Sequence, residues 1–243
     1  MSNLYRLVFD PCYQTADIVT LTHQQQHYLK RVIRLQNGDR FIAMNGKGKS
    51  WLAKLDDTKA QLLELISSKT ELNLNLTLIT ALPKGNGYEQ ILRCGTELGV
   101  SQFIPVQSDR SLLKPSSNKV DRWRKIVTEA AEQAEREIVP QVADFTPFRE
   151  VFARLIPKSD RYICVARGEN PSLWKCLQTS KNSEIIIATG AEGGWTEEEI
   201  KMAISHDFQP VSLGKSILRA VTAPIVVATL VNTISYEKNN TVN

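Results

Sequence analysis

The sequence contains few of the residues that bind metals or build disulfide frameworks. It has three histidines and four cysteines in 243 residues. Cys12, Cys94, Cys164 and Cys176 form no C-x-x-C pair and have no cluster of histidines nearby. This spacing argues against a structural zinc site and against a disulfide framework, so we expect no metal and reduced thiols.

Long apolar runs are also missing. The opening stretch MSNLYRLVFD has no basic segment followed by an apolar one, and APIVVATLV, the most apolar late segment, is far shorter than the roughly 20 residues that span a bilayer. We therefore expect a soluble, cytoplasmic protein without a membrane segment. The formal net charge of +4 at pH 7 indicates weak attraction to polyanions.

The first part of the chain has the pattern of a small β-rich domain with one helix. The runs YRLVF, RFIAM, SWLAKL and KAQLLELI are typical of strands, and Asn-Gly-Lys-Gly between the second and third suits a hairpin turn. Thr22 is a candidate N-cap for a helix that would place Leu29, Val32 and Ile33 on one face.

Cations cluster on this predicted helix and on the hairpin turn. The helix carries Lys30, Arg31 and Arg34, and the turn carries Lys47 and Lys49. Grouped cations can neutralise several phosphates of a nucleic acid, although a solvated protein surface has the same composition. On these residues alone, both interpretations stay open.

From residue 73 onward, helix-like and strand-like segments alternate. LNLNLTLITAL, QFIPV, RYICVA, EIIIATG and PVSLG are the strand-like segments. Such alternation, with continuous apolar strands, is typical of an α/β fold whose parallel sheet is covered on both faces and binds ligands beyond the carboxyl ends of its strands. In the longest predicted helix, Glu132 and Arg136 stand four residues apart and are placed to pair.

The stretch ATGAEGGWTEEEI combines a strand end, a glycine-rich loop and a helix start. The strand stops at Gly190, Gly193 and Gly194 permit close approach of the main chain, and Thr196 begins a capping box. These features form either a ligand cradle or a tight turn that serves only the fold. The spacing matches neither the dinucleotide-binding pattern nor a P-loop, so a phosphate ligand fits poorly.

A second stretch, VSLGKSILRAVTAP, also ends a strand in a glycine, Gly214, and continues into an apolar loop with one arginine, Arg219. LRCGTELGVSQFIPV and EAAEQAEREIVPQV precede these two stretches. In order and approximate spacing, the four resemble the trefoil-knotted SPOUT methyltransferases, specifically the branch that methylates N3 of a uridine in small-subunit (16S) ribosomal RNA. The resemblance extends over nearly the whole chain.

The resemblance implies a PUA-like RNA-binding β-barrel domain at 1–72 and a trefoil-knotted α/β methyltransferase domain with a parallel sheet at 73–243. It also implies a homodimer, S-adenosyl-L-methionine as the methyl donor, and 16S ribosomal RNA or the small ribosomal subunit as the partner. The cofactor-binding residues carried over are Gly190, Glu192, Gly193, Gly194, Leu213, Gly214, Ile217, Leu218, Arg219, Thr222 and Ala223.

Methylation of a uracil N3 requires loss of the imide proton and stabilisation of the negative charge that develops. Arg219 is the candidate cation, unless it only anchors its loop, with Arg110 and Arg136 as helpers on the substrate side. No residue stands out as the general base, for which Glu192 is the nearest candidate. The predicted RNA-binding residues are Lys30, Arg31, Arg34, Lys47, Arg110 and Arg136.

The sequence departs from the usual family pattern at several positions. Ala191 replaces a proline, Ser216 an arginine and Cys94 a lysine, and Ala220 and Val221 replace a threonine-glutamate pair. Two other functions therefore stay open. One is a knotted methyltransferase acting on a ribose 2′-hydroxyl or on transfer RNA, and the other is a non-enzymatic RNA-binding protein of ribosome assembly.

Overall fold

The computed structural model describes residues 4–66, 70–111 and 113–240, which form two compact units. Unit 1 consists of Met1–Glu71 with Thr128–Val139, and unit 2 consists of Leu72–Val127 with Pro140–Asn243. The chain first passes from unit 1 to unit 2 next to the boundary predicted at residue 72. The later segment of unit 1 lies within the predicted second domain, which is a difference from the sequence-based division.

Unit 1 is built on a six-stranded sheet. Its strands are β1 (Arg6–Val8), β2 (Gln14–Thr15), β3 (Ile18–Thr20), β4 (Arg40–Met44), β5 (Ser50–Asp56) and β6 (Lys59–Ile66). They follow the order β1-β4-β5-β6-β3-β2, in which the β1–β4 pair is parallel and the other pairs are antiparallel. The predicted hairpin is confirmed as β4 and β5, and buried side chains such as Phe41 and Leu55 form the core.

The predicted helix of unit 1 departs from its prediction after little more than one turn. α1 (His23–His27) begins at a capping box formed by Thr22, which confirms that residue as the N-cap. The chain then widens into a π-helical turn over Tyr28–Val32. Of the residues predicted to share one face, Leu29 is fully buried, whereas Val32 is 58% exposed. The wider turn rotates the later side chains away from the positions that an α-helix would give them.

The segment 128–139 joins unit 1 through hydrogen bonds and one ion pair. The Val8 N–H donates to the carboxylate of Glu132 at 2.7 Å, and the Val139 N–H donates to the carbonyl of Gly46 at 3.0 Å. Arg6 forms an ion pair with Glu135 at 2.6 Å. These contacts explain why the segment belongs to unit 1.

The predicted pair between Glu132 and Arg136 is wrong. α3 (Ser117–Gln133) ends between the two residues, and Glu135 adopts a φ of 61°, so the helical spacing is lost. Arg136 instead lies 3% exposed and places its Nη2 2.7 Å from a carboxylate oxygen of Glu71.

Unit 2 is built on a seven-stranded sheet in which every pairing is parallel, as predicted. Its strands are β7 (Asn75–Ala81), β8 (Gln102–Gln107), β9 (Gln141–Val142), β10 (Thr146–Pro147), β11 (Asp160–Cys164), β12 (Glu184–Thr189) and β13 (Gln209–Val211). The order is β10-β8-β7-β12-β11-β13, and β9 also pairs with β8.

Helices cover both faces of this sheet. Besides α3 they are α2 (Gly87–Glu97), α4 (Phe148–Val151), α5 (Leu173–Thr179), α6 (Glu197–Ile204) and α7 (Thr222–Asn240). Ile79 and Ile186 pack in one core cluster with residues of α4 and α6, while Leu76 and Leu78, which point to the other face, are also fully buried. Within the described residues, no helix has the length and apolarity needed to cross a membrane. The knot implied by the resemblance stays a prediction.

Candidate functional site

A cavity of about 520 Å³ lies beyond the carboxyl ends of β11, β12 and β13. Its volume is within the range of roughly 300–1,000 Å³ that small-molecule sites occupy, and its position is where ligands bind in open parallel sheets. A cleft of about 470 Å³ near the amino ends of β11 and β13 contains none of the predicted residues. The cavity at the carboxyl ends is therefore the candidate site.

The glycine loop, residues 190–194, forms one wall of this cavity. A Cβ on Gly190 would stand 3.2 Å from the Cα of Gly194, and a Cβ on Gly193 would stand 3.0 Å from the Cβ of Arg110. Gly194 has a φ of 67°, which side chains with a Cβ disfavour. Steric crowding and backbone conformation both select glycine here, and they leave bare main chain at the cavity wall.

Two side chains hold the glycine loop from different directions. Arg110 donates a hydrogen bond from Nη1 to the carbonyl of Gly193 at 2.7 Å. Glu192 accepts a hydrogen bond from the backbone N–H of Lys84 at 2.9 Å, which connects the loop after β7 to the glycine loop. The one carboxylate that the sequence offered as a base is thus engaged in a structural contact.

The predicted capping box at the start of α6 is confirmed. The Thr196 hydroxyl accepts the Glu199 N–H at 3.2 Å, and the Glu199 carboxylate accepts the Thr196 N–H at 2.8 Å. Glu199 is 4% exposed and also accepts the backbone N–H of Asp109 at 2.9 Å. This carboxylate therefore fixes the start of α6 against the loop after β8.

Most of the predicted cofactor-binding residues meet at the cavity. The residues that line it are Gly190, Glu192, Gly193, Gly194, Leu213, Gly214, Ile217, Leu218 and Ala223. Arg219 and Thr222 do not line it. Arg219 is exposed between two lining residues, and its carbonyl accepts the backbone N–H groups of Thr222 and Ala223 at the start of α7.

The cavity also includes residues that the sequence analysis did not select. The loop after β11 contributes Val165, Arg167 and Gly168, and α6 contributes Ile200. The signal was present in RYICVARGEN, because Gly168 follows a strand end closely, as Gly190 follows β12. Cys164 lines the cavity as well, and burial raises the pKa of its thiol to about 12. Its sulfur is therefore a neutral wall group and not a nucleophile at physiological pH.

The donor groups and apolar surfaces of the cavity fit S-adenosyl-L-methionine. Apolar side chains and bare main chain suit a neutral adenine and a sulfonium, and no lysine belongs to the described lining. Trp195 is 6% exposed and stacks on Phe148 with 4.4 Å between ring centroids. Its Nε1 is buried without a hydrogen-bond partner in the described part of the chain, which leaves a donor at the wall. In that part, no group of three or more His, Cys, Asp or Glu side chains is placed to hold a metal ion.

Two departures from the family pattern have local explanations. Ala191 is 7% exposed and accepts the Gly194 N–H at 2.8 Å, so the turn forms without proline. Val221 packs closely on the start of α2, since a Cβ on Gly87 would stand 2.6 Å from its Cγ2. Ser216 lines the cavity.

The predicted RNA-binding residues have different environments. Lys30 forms an ion pair with Asp57 at 2.8 Å, while Arg31, Arg34 and Lys47 are exposed. Arg110 is exposed at the cavity wall. The prediction for Arg136 is corrected, because its burial against Glu71 makes its guanidinium inaccessible to RNA.

The chain matches two domain families and several named relatives. The RNA methyltransferase domain matches residues 70–232, and the RNA methyltransferase PUA domain matches residues 21–65. Ribosomal RNA small subunit methyltransferase E of Synechocystis sp. is 49% identical over 235 residues, which cover 95% of this chain and 78% of that protein. The protein of the same name from Bacillus subtilis is 32% identical, with 92% of each chain covered.

A solved structure agrees with these sequence matches. The crystal structure of a ribosomal RNA small subunit methyltransferase E from Neisseria gonorrhoeae bound to S-adenosyl methionine superposes with a TM-score of 0.86 at 28% identity. The match covers 96% of this chain and 98% of that one. On the domain matches, these relatives and the shared fold, the chain belongs to the ribosomal RNA small subunit methyltransferase E family.

Proposed function

We propose that this protein transfers a methyl group from S-adenosyl-L-methionine to N3 of a uridine in 16S ribosomal RNA. The observation that carries the proposal is the cavity beyond the strand ends, which brings three separate glycine-containing loops to one largely apolar site. The Neisseria gonorrhoeae relative with S-adenosyl methionine bound supports the choice of cofactor. No feature of the cavity favours transfer RNA or a ribose hydroxyl over the uracil.

The cofactor supplies an electrophilic methyl group on a positively charged sulfur. The loops of the protein hold the uracil so that N3 approaches this methyl group in line, and such positioning lowers a barrier by about 7–11 kcal/mol in favourable cases. N3 gives its proton to solvent, the N–C bond forms as the S–C bond breaks with its electron pair staying on sulfur, and S-adenosylhomocysteine leaves. The target base has to be unpaired or extruded, because pairing hides N3.

We assign Arg219 as the cation that stabilises the negative charge on the uracil. Its neighbours Leu218 and Ala220 line the cavity, and its own side chain is exposed. Arg110 is the second cation at this site, although its Nη1 is bonded to Gly193. No general base is assigned, since Glu192 accepts the Lys84 N–H.

The proposal extends to partners and location. RNA contacts the exposed cations Arg31, Arg34 and Lys47 of unit 1, together with Lys30, through its phosphates. The protein acts as a cytoplasmic homodimer on 16S ribosomal RNA or the small ribosomal subunit. Sedimentation analysis of the pure protein tests the dimer.

Substitution of Arg219 tests the mechanism. We expect Arg219→Ala to lower the single-turnover methylation rate roughly 100-fold, which corresponds to about 3 kcal/mol of lost charge stabilisation. Calorimetric affinity for S-adenosyl-L-methionine should change little, because the side chain does not line the cavity. The product, N3-methyluridine, is measured by mass spectrometry of digested ribosomal RNA.

Lys215→Ala is the matched control, since Lys215 is exposed on the same loop and does not line the cavity. It should keep the full rate. An unchanged rate in Arg219→Ala would remove Arg219 from the mechanism. Absence of cofactor binding by the folded parent protein would reject the proposed function itself.

A further inference from the structure

Arg167 is a cation at the cavity wall that the proposed mechanism leaves without a role. It lies in the loop after β11, is exposed, and lines the same cavity as the glycine loop. Within the described residues, its guanidinium has no hydrogen bond or ion pair to another side chain or to the main chain. Its charge is therefore available to a ligand.

The turn that presents Arg167 is well defined. Gly168 follows it with a φ of 91°, and the Asn170 side-chain amide donates to the Arg167 carbonyl at 3.1 Å. On the other side, the Val165 N–H donates to the carbonyl of Val211 at 2.9 Å, which holds the start of the loop beside β13. The backbone of Arg167 is thus anchored on both sides while its side chain is unrestrained.

The other charged groups of the cavity make this arginine distinctive. Arg110, the second arginine in the lining, already donates to Gly193. Two acidic residues, Glu192 and Glu197, also line the cavity. A ligand that carries both a carboxylate and an ammonium group would find one free cation and an exposed acidic side chain at the same wall.

We propose that Arg167 binds the α-carboxylate of the methionine part of S-adenosyl-L-methionine. This inference rests on the proposed function, because that function defines the ligand. A carboxylate next to an apolar wall needs charged donors to replace water, and the planar guanidinium matches its two oxygens. Arg167 thereby sets the position of the amino-acid part and, through it, the direction of the sulfonium methyl group.

The test is a comparison of ligands that differ in the carboxylate. We expect Arg167→Gln to weaken binding of S-adenosylmethionine and S-adenosylhomocysteine roughly tenfold, as for a lost charge-assisted hydrogen bond. Decarboxylated S-adenosylmethionine and 5′-methylthioadenosine lack the α-carboxylate. Their affinities for the parent protein and for Arg167→Gln should therefore agree within about twofold. Calorimetry gives all of these dissociation constants without an activity assay.

Two further variants complete the design. Arg167→Lys keeps the charge and should retain part of the preference for ligands with a carboxylate. Arg154→Gln removes an exposed arginine of unit 2 that does not line the cavity, and it should bind all four ligands as the parent protein does. Thermal unfolding of each variant verifies that the fold is intact.

The outcomes separate this inference from the proposed function. Equal weakening of all four ligands by Arg167→Gln would overturn the inference, because the side chain would then shape the cavity and not recognise the carboxylate. No change for any ligand, or a change confined to RNA binding, would overturn it as well. If the parent protein bound none of the four ligands, the proposed function and this inference would both be rejected.

Discussion

Glu132 has an ionisation equilibrium that its position in unit 1 alters strongly. Burial raises the pKa of its carboxyl from 4.5 to about 7, with a smaller contribution from the nearby Glu129, while the hydrogen bond from Val8 opposes the shift. The folded state therefore holds this proton to a higher pH than the unfolded chain. The contribution of Glu132 to the free energy of unfolding is fully present below about pH 4.5. It is lost as the pH rises towards 7, because the folded state must then bury a charged carboxylate.

Replacement of Glu132 by glutamine should remove the loss of stability that its ionisation causes at high pH. The amide oxygen of Glu132→Gln can still accept the Val8 N–H, but no charge is buried at high pH. We expect the free energy of unfolding at pH 8 to rise by on the order of 2 kcal/mol relative to the parent protein. At pH 4.5 the two proteins should differ little. Urea unfolding at the two pH values measures both quantities.

Glu64→Gln is the control for this prediction, because Glu64 is exposed on β6 of the same unit. It should not reproduce the pH-dependent gain. A gain of equal size at pH 4.5 and pH 8 in Glu132→Gln would show that packing, and not ionisation, causes the effect.

Individual residues of the cavity wall were predictable where the structural requirement for that residue type arises from nearby parts of the chain. Gly190 and Gly193 follow a strand end in the sequence, and the need for glycine arises from neighbours a few residues away or from one adjacent loop. Arg167 was not selected, although Gly168 marks a loop after a strand end, because the place of this loop at the cavity depends on β11 lying beside β12. Spacing along the chain does not reveal that pairing. Arg136 was misassigned because its partner, Glu71, is distant in sequence.

Among the helices, α6 has the start that matters most for the site. Its capping box stabilises the first turn, and the Thr196 hydroxyl is also 3.2 Å from a carboxylate oxygen of Asp109. Its N-cap, Thr196, directly follows Trp195, which lines the cavity. Helix stability and the shape of the cavity are therefore linked at Thr196.

Loss of this cap should affect both stability and binding. We expect Thr196→Ala to lower the free energy of unfolding by about 1 kcal/mol and to weaken calorimetric binding of S-adenosyl-L-methionine. Thr22→Ala removes the equivalent capping box of α1 in unit 1. It should cost about as much stability and leave cofactor affinity unchanged. Equal effects of the two variants on affinity would contradict the link.

At the π-helical turn over Tyr28–Val32, the sequence pattern failed for a physical reason. Apolar spacing predicts the face of a regular helix, and the first residues, including Leu29, obey it. An inserted residue widens one turn without changing composition, so the pattern gives no warning. The result exposes Val32 beside the cations Arg31 and Arg34.

Across the whole molecule, the cations of unit 1 should dominate the salt dependence of RNA binding. We expect joint replacement of Lys30, Arg31 and Arg34 by glutamine to reduce the slope of log K against log salt by roughly 2–3. Filter binding or fluorescence titration with a 16S ribosomal RNA fragment at several salt concentrations measures the slope. If the triple variant showed the same slope as the parent protein, the proposed contacts between these cations and RNA would be rejected.

A control with the same type of substitution is available in unit 2. Lys175 and Lys181 lie at the cleft near the amino ends of the strands, away from the candidate site. Joint replacement of these two lysines by glutamine should change the slope of log K against log salt only slightly. Similar losses in both variants would indicate that net charge alone governs binding.

The parallel sheet of unit 2 was predictable, because alternating helices and apolar strands produce it regardless of detail. The set of segments that make up unit 1 was not predictable, because the segment 128–139 joins this unit from a point far along the chain. That segment supplies the acceptor for Val8 and the partner for Gly46. During synthesis from the amino terminus, all six strands of unit 1 leave the ribosome before this segment exists. The amino-terminal unit therefore cannot complete its fold first, and its last native contacts form only after residue 139 has been translated.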